Sequence, residues 1–129
     1  MIDSKTMLEV AVKAGDSKRA EDIVALDMRG VSLLADYFVI MSGTSDRQVQ
    51  AIVDEIEDKE EEAGVTIRRI EGQKGSKWML IDMNDVVVHV FMPEERQFYN
   101  LEKLWQEAPL VEVDQWLSLI HISEPTRRS

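Results

Sequence analysis

The sequence predicts an α/β sandwich, a mixed sheet of about five strands flanked by helices. Three observations carry this. Three segments place apolar residues at helical spacing, the run "DYFVIMSG" is apolar almost throughout, and the remaining β-branched or alternating segments are separated by Gly, Asn and Pro. Their order is α-β-β-α-β-β-β-α.

Residues 4–14 read as the first helix, with Ser4 as N-cap, Met7, Leu8, Ala11 and Val12 on one stripe, and Gly15 at its end. "DIVALDM" (22–28) is a strand by its short apolar, β-branched character. "RGVSLLA" leads into 36–43, whose unbroken apolarity suits a strand covered on both faces and so the centre of the sheet. Thr44 or Ser45 then caps a helix to Ala63. In it Val49, Ile52, Val53 and Ile56 face inward, while Asp54, Glu55, Glu57, Asp58, Glu60, Glu61 and Glu62 lie mainly opposite. Gly64 ends it.

"VTIRRIE" (65–71) alternates as a strand does, "GQKGSK" is a polar loop, and "KWMLIDM" (77–83) is a further strand. Asn84 and Asp85 turn the chain into "VVVHVFM" (86–92), since Asn tolerates the left-handed conformation of a tight turn. Pro93 opens the last helix, with Phe98, Leu101, Leu104 and Trp105 on a common face. The domain is expected over 1–114. Residues 115–129 break the charge pattern, end in a polar, Pro-containing segment, and read as an appended tail.

A length of 129 residues suits one domain. No apolar run approaches the roughly 20 residues of a membrane helix. With no cysteine the chain has neither disulfides nor thiolate metal sites, and its start lacks the apolar core of a secretory signal, so the cytoplasm is the expected location. Fifteen Lys and Arg against 25 Asp and Glu give a net charge of −10, which phosphate backbones repel. The basic groups at Arg68, Arg69, Lys74 and Lys77, and at Arg127 and Arg128, are too sparse to reverse that sign. A basic protein is the better partner; direct DNA binding and membrane insertion are not expected.

Enzyme chemistry finds little support. In "DVVVHVF" the strand rise puts Asp85 and His89 about 13 Å apart, too far to share an ion or a proton. "GTSDR" lacks the second glycine of a nucleophile elbow. The "SGTSD" turn offers backbone N–H groups that suit an anion, but a Thr44 or Ser45 cap explains it without a ligand. A nucleotidyltransferase phosphate site also needs two carboxylates one residue apart on a following strand to hold Mg²⁺, whereas Asp82 and Asp85 are three apart across a turn. No cofactor is expected. His89 remains a strand histidine, either satisfied by a neighbour or facing a partner. Trp78, Phe91, Phe98, Tyr99 and Trp105 gather in the last third with Arg96 and Glu102, residue types that build both cores and protein interfaces. Core is the expectation for Phe98 and Trp105. An apolar sheet edge in so small a domain also makes a homodimer reasonable.

"WMLIDMNDVVVHVFMPEERQFYNLEKLW" carries a specific resemblance. With "ALDMRGVSLLADYFVIMSGTSDRQVQAI" it is similar to the ribosomal silencing factor family, the Iojap-like proteins. Their hallmark is a Trp, an Asp-x-x-Asp-Val-Val-Val-His hairpin, then Arg-x-x-Tyr-x-Leu-Glu-x-Leu-Trp. The likeness spans about residues 4–114. It implies a nucleotidyltransferase-like fold without the catalytic residues, and no enzymatic activity. It further implies binding to the large ribosomal subunit at its universal protein fourteen, which keeps the small subunit away and lowers translation when nutrients are short. By match to the motif, the implied partner-binding residues are Trp78, Asp82, Asp85, His89, Arg96, Tyr99 and Glu102. Asn84 stands where the family usually has Gly, and the turn accepts either. The alternatives are a nucleotide-binding or nucleotidyltransferase role at the Gly43 turn, and a role in ribosome assembly.

Overall fold

The structure is a computed structural model that describes residues 2–72 and 75–117. Lys74 of the first basic group, and His121, Arg127 and Arg128 of the expected tail, lie outside the described residues.

Helix α1 (Ser4–Ser17) precedes β1 (Glu21–Asp27) and β2 (Tyr37–Ser42). Helix α2 (Asp46–Glu62) is followed by β3 (Arg69–Glu71), β4 (Trp78–Asp82) and β5 (Val86–Phe91). Two short helices, α3 (Pro93–Tyr99) and α4 (Leu101–Leu104), then β6 (Leu110–Val111) and a 3₁₀ turn (Asp114–Trp116) complete it. The sheet order is β3-β4-β5-β2-β1-β6. β2 and β5 run parallel, Tyr37 beside Val86 through Ser42 beside Phe91, and the other neighbours are antiparallel. The mixed α/β sandwich is as expected, and β2 lies inside the sheet.

The differences have local causes. There are six described strands rather than about five, because Leu110 and Val111 pair with Leu26 and Ala25. Two residues give no periodicity to read. Asp3, not Ser4, caps α1, its carboxylate accepting the Thr6 N–H at 2.8 Å. The helix continues through Gly15 to Ser17. A Cβ on Gly15 would come within 2.5 Å of Met41 Sδ, so this glycine serves close helix–sheet packing rather than termination. The third strand is short, spanning three residues of the expected 65–71. The last helix breaks at Asn100, which is left-handed at φ 48°.

Alternation divides the sheet into two faces. Ala25, Tyr37, Val39, Met41, Met79, Ile81, Val86, Val88 and Val90 pack against α1 and α2 in the main core, joined in part by Trp116 and Leu117. Most of the α2 acids face solvent as expected, but Glu60 is fully buried. The opposite face carries Leu26, Ile40 and Phe91, with Val24, Phe38 and Trp78 at its margin. Leu101 and Trp105 cover only part of it. Phe38, Leu80 and Val87 remain half-buried on that face.

Candidate functional site

This second face holds a band of aromatic rings. β-pairing sets Trp78 beside Phe91, Leu80 beside His89, and Ile40 beside His89 from the other side. Same-face neighbours in a sheet put their side chains in contact. Trp105 meets Phe38 edge-on at 5.9 Å between centroids, and Phe38 meets His89 at 5.2 Å. Trp78 lies 6.0 Å from His89, 4.9 Å from Phe91 and 4.6 Å from Tyr99, which meets Phe98 at 5.1 Å.

His89 is 6 % exposed. Trp78 Nε1–H donates to its Nδ1 at 3.4 Å, and its Nε2 is buried with no partner in the structure. Burial pushes its pKa down to about 4, since an imidazolium there would lose its hydration. His89 is therefore a neutral ring inside the aromatic band. Among the described residues no group of three or more His, Asp and Glu is placed to hold a metal.

The other residues matched to the motif fall into separate places. Arg96 donates to Ser42 Oγ through Nη1 at 2.8 Å and to Glu102 Oε2 through Nη2 at 2.7 Å and Nε at 3.2 Å. This pair spans the Asn100 break and fastens α3 and α4 to the end of β2. Asp82 is 8 % exposed, accepts the Asn84 N–H at 2.9 Å and lies 3.6 Å from Arg69 Nε. It shapes the hairpin, whose Asn84 is left-handed at φ 75°. Asp85 is exposed, while its carbonyl accepts the N–H groups of Asp36 and Tyr37. Thus Trp78, His89 and Tyr99 come together, Arg96 and Glu102 brace the neighbouring helices, and Asp82 and Asp85 shape one end of the sheet.

At the Gly43 turn, Ser45 Oγ accepts the Gln48 N–H and Gln48 Oε1 accepts both Thr44 N–H and Thr44 O–H. That reciprocal cap occupies the helix start, in line with the capping reading. Sequence reasoning missed Phe38, Leu80 and Val87 as parts of the aromatic face, because alternation within an almost wholly apolar run does not say which face stays open. It also placed Phe98 in the core, whereas Phe98 is 80 % exposed. The helix stripe it belonged to ends at Asn100.

The description "Ribosomal silencing factor during starvation" belongs to a protein family whose model matches residues 1–129. The chain belongs to this family. Among similar family members is the "Ribosomal silencing factor RsfS" of Bacillus subtilis, 54 % identical over 113 residues, covering 88 % of this chain and 96 % of that protein. A solved structure from Bacillus halodurans is 51 % identical with a TM-score of 0.75, covering 84 % of this chain and 98 % of its own. One from Chromobacterium violaceum is 34 % identical with a TM-score of 0.79, covering 81 % and 88 %. The sandwich is thus shared with both of these structures.

Proposed function

We propose that this silencing factor family member binds the large ribosomal subunit at its universal protein fourteen, through the aromatic face, and so blocks joining of the small subunit. Translation falls when nutrients are short, by steric occlusion in the cytoplasm and without a catalysed reaction. The observation that carries the reading is the half-covered sheet face. Trp78 and Tyr99 are partly exposed there beside Phe38, Leu80 and Val87, and rigid aromatic groups of this kind anchor interfaces. A net charge of −10 favours a basic ribosomal protein over RNA as the landing site. Trp78, Tyr99 and Asp85 act as contacts. His89, Asp82, Arg96 and Glu102 hold those contacts in place.

Sucrose-gradient profiles test it. Added protein should move the equilibrium toward free subunits and travel with the large one, and an unchanged profile at saturating protein would overturn the reading. A second copy of the chain is the competing occupant of this face. Sedimentation of the isolated protein separates the two, because a dimer closed through this face loses its self-association in Trp78→Ala.

A further inference from the structure

Between β1 and β2 the chain projects a loop whose tip is Leu33 and Leu34, 104 % and 83 % exposed. Isolated surface leucines are common, but two adjacent ones at full exposure on an ordered loop are not explained by packing. The loop is held throughout. Met28 O accepts the N–H groups of Val31 and Ser32, and Ser32 Oγ accepts the Leu34 N–H at 3.0 Å. The Met28 N–H closes the base on Asp36 O at 2.8 Å. Arg29 grips Asp27 through two side-chain bonds of 2.9 and 2.8 Å and lies 5.3 Å from the Tyr37 ring centre. Val31 packs into the second cluster, the one under the aromatic face.

The surroundings define what the tip can meet. Asp36 and Tyr37 donate to Asp85 O, so the leucines stand at the same end of the sheet as the exposed Asp85 carboxylate. Arg29, the one cation of the loop, is matched by Asp27. An apolar tip with an acidic base fits an apolar recess rimmed by Lys or Arg. The same charge sets it against an anionic bilayer.

We infer that Leu33 and Leu34 form a second anchor, which inserts into a basic-rimmed apolar recess of the same ribosomal protein that the aromatic face meets. This rests on the proposed function above. The loop adds a contact at the Asp85 end of the sheet and so helps to set the orientation of the bound molecule.

Binding of the full chain to purified large subunits, read by co-sedimentation, tests the inference. Leu33→Ser combined with Leu34→Ser should weaken binding by about ten-fold or more while leaving the melting temperature unchanged, as loss of an interface anchor does. Each single substitution should give part of that loss. If the double variant binds as the parent does while Trp78→Ala loses binding, the aromatic-face reading stands and the loop anchor is overturned. If the parent does not bind the subunit, both fall. Leucine-dependent binding to neutral phosphatidylcholine vesicles with unchanged subunit binding would likewise overturn it, in favour of a membrane.

Discussion

His89 shows how burial decides a residue's role. A histidine amid valines invites chemistry, yet here the ring accepts from Trp78 and lies among Phe38, Trp78 and Phe91. Its value of about 4 lies below the ordinary 6.5, so its contribution to stability is present above pH 6.5 and is lost as pH falls through 4. The His89 imidazole signals followed by NMR, assigned by their loss in His89→Ala, should show a neutral ring across the physiological range and titration near pH 4; a midpoint near 6.5 for those signals would mean the ring is solvated. His89→Ala removes the support beneath Trp78. It should cost on the order of 2–3 kcal/mol by chemical denaturation, as ring deletions in packed sites do, and weaken subunit binding in parallel. Retained binding would make the histidine purely structural.

At the scale of elements, the sheet was legible because periodicity is a direct consequence of burial. The β2 run and the short apolar runs of β4 and β5, set off by a polar loop, the Asn84 turn and Pro93, mark their strands before any coordinates do. What escaped depends on contacts distant in sequence. Gly15 reads as a helix stop until Met41 is seen against it, and "RQFYNLEKLW" reads as one stripe until Asn100 turns left-handed. The candidate site was half legible for the same reason. The motif names Trp78, His89 and Tyr99 together, but it cannot distinguish them from Arg96 and Glu102, which tie helices down. That distinction predicts separable effects. Trp78→Ala should reduce binding about ten-fold or more under conditions where the variant is fully folded, whereas Arg96→Ala should destabilise by about 1–2 kcal/mol because it leaves Glu102 and Ser42 without their donor. Equal effects on binding and stability in both variants would contradict the division.

Across the whole molecule, the acidic surface and the buried Glu60 act in different ways. The surface charge should make association with a basic partner fall with ionic strength, through the association rate. Glu60 acts on the fold. It continues the apolar stripe of α2 four residues after Ile56, a position that periodicity assigns to the core and residue type assigns to water. The structure follows the periodicity: Glu60 is 0 % exposed and neither carboxylate oxygen has a hydrogen-bond partner. Burial raises its pKa from 4.5 to about 8, so the folded chain holds this proton where an unfolded one releases it. Stability is therefore greatest below pH 4.5 as far as this group is concerned, and is lost as pH rises through 8. His89 contributes the opposite slope below 6.5, which leaves Glu60 the larger influence between pH 6.5 and 8. There the urea midpoint should fall with pH, by at most about 1.4 kcal/mol of stability per unit for one proton. Glu60→Gln keeps the shape without the ionisation, so its midpoint should stay level over that range. Parallel slopes in the two proteins would mean that Glu60 ionises within the fold.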